Sequence, residues 1–401
     1  MKKLISVCIL LSVLFVLLTA CQSPGPEQDL GDTYVSESDN QYYFYLSGLL
    51  GSPITESEDA YYFEHDHYLY LRDKKTGKCI PLCNKPDCTH DEQAMNPDGS
   101  SNCNAFFSNI LSLAYYQGNL YIFSTDQTIY EMDASGSTRK ELLQLEENAS
   151  CAMVHRGYLY LSFTDFLSSP ENYSEEAMKD MGYRVERYRL DRWDGKPEMI
   201  YEKKGEFGQI NTLFAYGNQV YIVGGEGHGA VIYNILDRSI SDMPPGTNSY
   251  MAMAGEKLVY FEPTEGYTGE EPPEELFAAY EKERAVIADR EGNIEKETEI
   301  PKTYSYLYGF DSLIAADNYI AVAFENTPRE ERGVRFYDQD GKFIREIKTG
   351  NDTMPVLGTD ENYLFYLKRG ENGEGTELWA IDLHRLDDSN LEGEPFFVPE
   401  A

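Results

Sequence analysis

The feature that most constrains this chain is a strand-and-turn signature that recurs seven times along it: an apolar strand ending at Asp, usually with Gly three or four residues later. It reads Tyr70-Leu71-Arg72-Asp73, Tyr130-Glu131-Met132-Asp133, Tyr188-Arg189-Leu190-Asp191 and Asn234-Ile235-Leu236-Asp237. It continues as Val286-Ile287-Ala288-Asp289, Arg335-Phe336-Tyr337-Asp338 and Trp379-Ala380-Ile381-Asp382. Gly77, Gly136, Gly195, Gly292 and Gly341 follow five of these copies. An Asp carboxylate bonds backbone N–H groups just ahead of it and Gly accepts positive φ, so the pair makes a tight hairpin turn.

A second strand precedes most copies, as in Gly118-Asn119-Leu120-Tyr121-Ile122, Gly157-Tyr158-Leu159-Tyr160-Leu161 and Gly217-Asn218-Gln219-Val220-Tyr221. The units recur about every fifty residues, within the range of propeller repeats. Alternating apolar strands with regular turn signals argue for antiparallel sheet. No such sheet can bury both of its faces alone, so the expectation is an all-β fold: a β-propeller of about seven four-stranded blades, with six or eight as neighbouring solutions. A pair of β-sandwiches fits seven copies of one hairpin poorly. The same repeat accounts for most of the 32 Tyr residues, as rings packed between blades rather than as a sugar platform. At 401 residues the chain is then one ring with insertions, not several domains.

The first twenty residues stand apart. Lys2 and Lys3 precede an uncharged apolar run from Leu4 to Leu18, shorter than the roughly 20 residues that span a bilayer, and small residues follow it. This is the pattern of an export signal. Leu18-Thr19-Ala20-Cys21 resembles the lipobox of bacterial lipoproteins, which makes Cys21 the expected lipid-attachment site and mature N-terminus. The organisation expected is a signal peptide over 1–20, a flexible Pro- and Gly-containing tether over 21–40, and a propeller over 41–401. Such a chain sits on the extracytoplasmic face of the cell membrane, held by acyl chains. Loss of Lys2 and Lys3 with the leader takes the net charge from −35 to −37. A body this acidic does not hold a phosphate backbone, so nucleic acid is excluded as a partner.

Side chains suited to metal binding gather in one place. Cys83-x₄-Cys88-x-His90-x₁₂-Cys103 offers three thiolates and an imidazole, the ligand set of a closed structural zinc site. An exported protein also permits the alternative, a disulfide-stapled loop across Asn84-Lys85-Pro86-Asp87. Cys79, about 13 Å up an extended strand from Cys83, is too far to bridge to it. Cys151 is a candidate for an unpaired thiol, and His90 favours the metal. In either reading protein atoms fill the site and leave no place for a reacting water.

The run Pro81-Leu82-Cys83-Asn84-Lys85-Pro86-Asp87-Cys88-Thr89-His90 with Cys103-Asn104-Ala105, the lipobox and the strand-Asp hairpins together resemble uncharacterised propeller lipoproteins common in Gram-positive anaerobes of the gut. The resemblance implies a fold and a location, and it brings no activity with it.

Two insertions break the repeat. Residues 166–182 include a helix-like stretch at Glu175–Met181, and residues 264–284 carry a helix-like stretch from Glu274 to Glu283 with Leu276, Phe277 and Tyr280 on one face. Catalytic signatures are missing: there is no Gly-x-Ser-x-Gly, no His-Glu-x-x-His and no phosphate loop. Gly224-Gly225-Glu226-Gly227-His228-Gly229 leads into a strand and reads as a turn, and Asp338-Gln339-Asp340-Gly341 matches the blade turn rather than a calcium loop. His65, His67, His155 and His228 have no evident catalytic partner. The sequence therefore points to a surface-tethered module that binds a glycan, peptide or protein, with no catalytic residues assigned. An extracellular glycan- or peptide-processing enzyme with its site at the ring mouth is the alternative. A third reading is an envelope-assembly accessory that captures strands by edge addition.

Overall fold

The computed structural model describes residues 29–41, 52–90, 101–165, 181–205, 210–224, 229–244, 251–261, 284–299, 304–305, 309–310, 312–316, 318–326, 331–370 and 376–398. Within them lie seven four-stranded antiparallel sheets, each formed by four consecutive strands. Blade 1 comprises Ile54–Glu56, Ala60–His65, Tyr68–Asp73 and Cys79–Pro81. Blades 2 to 7 span 110–144, 149–204, 210–242, 251–299, 312–348 and 353–397. A two-stranded hairpin, Tyr304–Ser305 with Gly309–Phe310, sits between blades 5 and 6. The expected fold is present, and its blade number is seven. Among the described residues the only helical element is the 3₁₀ turn Leu383–Arg385, and the helix-like stretches 175–180 and 274–283 lie outside them.

Each strand of a blade has its own chemistry. The innermost, first strands are rich in small residues, such as Ala149, Ser150 and Ala152 in blade 3 and Ala252 and Ala254 in blade 5. Larger residues share these strands, with Tyr115 and Tyr116 in blade 2 and Phe214 and Tyr216 in blade 4. Second strands are apolar throughout: Leu120, Tyr121, Ile122 and Phe123 are all buried, because a neighbouring blade covers each face. Third strands end in the repeated turn. In blade 6, Asp338 Oδ1 accepts the Asp340 and Lys342 N–H groups at 3.0 and 2.8 Å, while Gly341 adopts φ 72°. Fourth strands form the rim and most are largely exposed, with sequences such as Glu198–Lys204 (EMIYEKK), the last strand with its buried Phe396 and Phe397 being the exception. Their charges protect the open edges against further pairing.

Apolar contacts between blades form seven separate clusters, one at each seam of the ring. Tyr160, Val185, Val220 and Ile222 belong to the seam of blades 3 and 4, and Leu69, Leu120, Ile122 and Met132 to that of blades 1 and 2. The ring closes without a shared sheet, since blades 1 and 7 each consist of contiguous chain. Aromatic packing does the work instead. Phe396, in the last strand Glu394–Phe397, meets Tyr61 edge-on at 5.1 Å and Phe365 at 5.0 Å, and Phe397 lies 4.7 Å from Tyr70. The Arg72 guanidinium covers the Phe396 ring at 4.0 Å and donates to its carbonyl.

Because Phe396 stands at the centre of this aromatic seam, Phe396→Ala is expected to cost about 3–5 kcal/mol of unfolding free energy in urea titration, against under about 1.5 kcal/mol for Phe396→Leu.

Candidate metal centre and the strapped mouth

The connection from blade 1 to blade 2 must travel from the outer rim to the innermost strand, and it carries the Cys and His residues. One ligand atom each from Cys83, Cys88, His90 and Cys103 lies within 4.8 Å of all the others. Tetrahedral zinc with bonds of about 2.3 Å to sulfur and 2.0–2.1 Å to nitrogen needs ligand separations of roughly 3.5–3.8 Å, so the cluster needs little adjustment to close on an ion. Cys103 Sγ stands 3.5 Å from His90 Nδ1, and the His90 backbone takes φ 57° to bring its ring there. Asn104 N–H points at Cys83 Sγ from 3.4 Å. Burial alone would raise the Cys83 thiol, but backbone N–H donors from Lys85 and Asn104 outweigh it and hold the thiol below its usual range. Cys103 has less compensation, and burial pushes it up to about 12.

The surroundings tie the cluster to the ring. Asn84 N–H and the Asn104 amide donate to Gly136 O in the third turn of blade 2, at 3.2 and 2.9 Å. Arg139 lies over Phe107 at 3.9 Å and donates to Phe106 O. All four residues expected from the sequence are brought together. The other cysteines stay apart: Cys79 packs against the seam of blades 7 and 1, and Cys151 is buried in that of blades 3 and 4, its thiol raised to about 11 by burial.

A second site had no counterpart in the sequence reading. Residues 21–28 of the expected tether lie outside the described residues, but from Asp29 onward the chain is docked on the ring. Arg156, in the turn between the first two strands of blade 3, is buried against Asp39, with Nε 2.7 Å from Oδ1 and Nη2 3.1 Å from Oδ2. It also donates to Gly31 O at 2.7 Å and Thr33 O at 2.9 Å. Arg156 takes φ 46° beside Gly157 at φ 82°, the I′ hairpin pattern, which is uncommon for a long side chain. His155 is fully buried: its Nδ1 accepts the Asn40 N–H at 2.9 Å and its Nε2 donates to Gly217 O at 2.8 Å. Those roles require the neutral ring, and burial lowers its pKa to about 4.

The strap runs from one side of the ring to the other. At one end Asp32 accepts from Asn218 N–H in blade 4 at 3.3 Å and pairs with Arg290 of blade 5 at 2.9 Å. At the other, Gln41 exchanges hydrogen bonds with the Glu56 backbone in blade 1, at 2.8 and 3.0 Å. Blades 4 and 1 stand across the axis from each other in a ring of seven, so residues 29–41 cross the channel mouth. Half-buried Tyr34 packs on the seam of blades 4 and 5, and burial, together with Glu56, Asp39, Glu361 and Asp360, raises its hydroxyl well above the ordinary range. At the same mouth, burial and the Glu56 carboxylate raise Asp360 to about 7. Asp360 Oδ1 accepts Asn362 N–H at 2.7 Å, and the Tyr61 hydroxyl of blade 1 bonds the same carboxyl group. Of the other histidines, His67 Nδ1 contacts Ser108 O at 2.7 Å and His65 packs on Phe397 at 5.0 Å. His228 lies outside the described residues.

No protein-family model and no curated protein matches the chain. Solved structures resemble it at low identity. An acylaminoacyl peptidase of Pyrococcus horikoshii is 13% identical over 88% of this chain, with a TM-score of 0.49. The chain spans about half of that protein, 54% of its length. The β-propeller domain of the Trilobed protease from Pyrococcus furiosus is 13% identical, over 88% of this chain and 99% of that one, at TM-score 0.47. BamB from Moraxella catarrhalis is 12% identical, over 88% and 94%, at TM-score 0.43. None is similar enough to carry a function across.

The strap is testable through its two buried groups. Arg156→Met leaves the Asp39 carboxylate buried and unpaired, and the expected loss is about 3–5 kcal/mol in urea titration, partly recovered by adding Asp39→Asn. For His155 the folded state disfavours the proton that the unfolded chain accepts below about pH 6.5. Stability is therefore complete above that pH and declines by up to about 3 kcal/mol as the pH falls to about 4. The charged groups facing the ring, Asp39 and Arg156, stay in place in His155→Gln, so the difference between wild type and that variant isolates the imidazole.

Proposed function

We propose that this protein is a lipid-anchored, extracytoplasmic propeller that binds a surface ligand, with a zinc ion clipping the connection between blades 1 and 2. The observation that carries the binding reading is the two-sidedness of the ring. In antiparallel blades the connections between second and third strands open on the face opposite the first-to-second turns, and the strap covers the mouth on the latter face. The strands that flank the two long insertions, Tyr158–Thr164 with Gly182–Arg189 and Lys257–Phe261 with Arg284–Ala288, are second and third strands, whose adjoining ends lie on the face away from the strap. Long connections on a rigid scaffold are where recognition residues collect. The ligand class proposed is an envelope glycan, peptide or protein. Membrane attachment rests on the leader and Cys21.

The zinc reading is supported by His90. A disulfide between two of the three clustered cysteines would leave the imidazole no reason to adopt a left-handed backbone and approach Cys103. Three thiolates and one imidazole suit zinc, and the filled set makes its role structural.

A soluble body beginning at Asp29, which retains the strap, is expected to retain a partner from solubilised envelope or a glycan array, and to lose it when residues 166–180 and 263–283 are replaced by short turns. Equal retention without those segments would remove them from the recognition surface. The same preparation is expected to carry about one zinc per chain, lost in Cys83→Ser and Cys103→Ser with a fall in thermal midpoint. Metal-free protein with no titratable thiol at Cys83, Cys88 and Cys103 would contradict the clip.

A further inference from the structure

We propose that the strap orients the ring, holding the mouth it covers toward the anchoring membrane and turning the opposite face outward to its partners. The inference rests on the lipid-anchor reading above and adds the direction in which the body points.

Three observations lead to it. The chain enters the ring at Asp29 and is pinned at once on the covered mouth: Gly31 O and Thr33 O are held by Arg156, and Asp32 by Asn218 and Arg290. The exit point is close-packed as well as hydrogen-bonded. A Cβ on Gly217, which has φ 56°, would come within 2.6 Å of Asp32 O. Finally, only eight peptide links separate Cys21 from Asp29, a reach of at most about 28 Å. A disordered tether attached at the rim would let the ring tumble against the surface. A short lead from a pinned strap at the mouth does not, because rotating the free face inward would carry the attachment point across the thickness of the body. The buried Arg156–Asp39 pair, held by His155 and Asn40 beside it, prevents the strap from peeling off to supply more length.

The test uses the full lipidated chain on phosphatidylcholine–phosphatidylglycerol vesicles that contain a lipid-borne quencher. An azide-bearing residue replaces either Glu256, exposed in the first-to-second turn of blade 5 on the strapped face, or Thr125, exposed in the second-to-third turn of blade 2 on the opposite face, and a dye is attached there. Flotation with the vesicles, abolished in Cys21→Ser, establishes the anchor. Wild-type protein that fails to float overturns the anchor reading and the orientation with it. Given flotation, the dye at position 256 is expected to be quenched and the dye at position 125 to keep its emission. Equal quenching at both positions, or stronger quenching at 125, overturns the orientation and leaves the anchor standing. A twenty-residue Gly-Ser insertion after Pro26 leaves the folded ring unchanged and is expected to equalise the two positions; persistent asymmetry would show that something other than the short lead sets it. Arg156→Met, examined at a temperature where the ring stays folded by circular dichroism, is expected to do the same.

Discussion

Burial of apolar side chains between neighbouring blades is the interaction on which the rest of this molecule depends. No blade can cover its own faces, and the ring exists because each sheet supplies one wall of two seams. Without a strand exchanged between the ends of the chain, the last seam is held by side chains: ring packing, and the Arg72 hydrogen bond to the Phe396 carbonyl. It is accordingly the most aromatic of the seven, with Tyr61, Phe63, Phe365, Phe396 and Phe397 in mutual contact and Arg72 laid over Phe396. The two polar devices then act at other places. The Cys and His cluster gathers in the long connection between blades 1 and 2, and the strap spans the mouth between blades 4 and 1.

The strap shows how a few buried polar groups specify one path for a polar segment. Its residues offer little apolar area, so hydrophobic burial alone would not hold it. Arg156 is removed from water and must find acceptors for its donors. The Asp39 carboxylate and the carbonyls of Gly31 and Thr33 are placed to provide them. His155 works as a neutral relay between Asn40 and Gly217. Any other course for the segment would leave a buried guanidinium and imidazole without partners, and that cost makes the docking specific. A closed mouth on one side gives the ring a polarity that its blade symmetry lacks.

How much of this was legible in the sequence depends on the chemistry of each element. Third strands announced themselves because their turns need Asp and Gly at fixed offsets, and second strands because burial on both faces demands unbroken apolar runs such as Leu120 to Phe123. First strands were silent because they share no signature, mixing small residues such as Ala252 and Ala254 with aromatics such as Phe214 and Tyr216. Fourth strands were silent for another reason, since exposure at the rim fills most of them with Lys and Glu. The Cys83, Cys88, His90 and Cys103 cluster was readable because ligand chemistry restricts residue type. The strap has the Gly and polar content of a linker. Its binding partners, His155 and Arg156, stand just before the Gly157–Leu161 strand signature with no motif of their own, and only the long-range hydrogen bonds of the fold reveal their task.

The central claim is that the chain from Asp29 is an integral part of a closed ring. Hydrogen exchange on the body from Asp29 to Ala401 tests it directly through the amides of Asn40, which donates to His155, and Arg156, which donates to Ser38 O at 2.6 Å. The account predicts that both are protected at neutral pH to the same degree as the second-strand amides of blade 3. Exchange of Asn40 at the rate of an unstructured peptide, with the ring amides still protected, would contradict it.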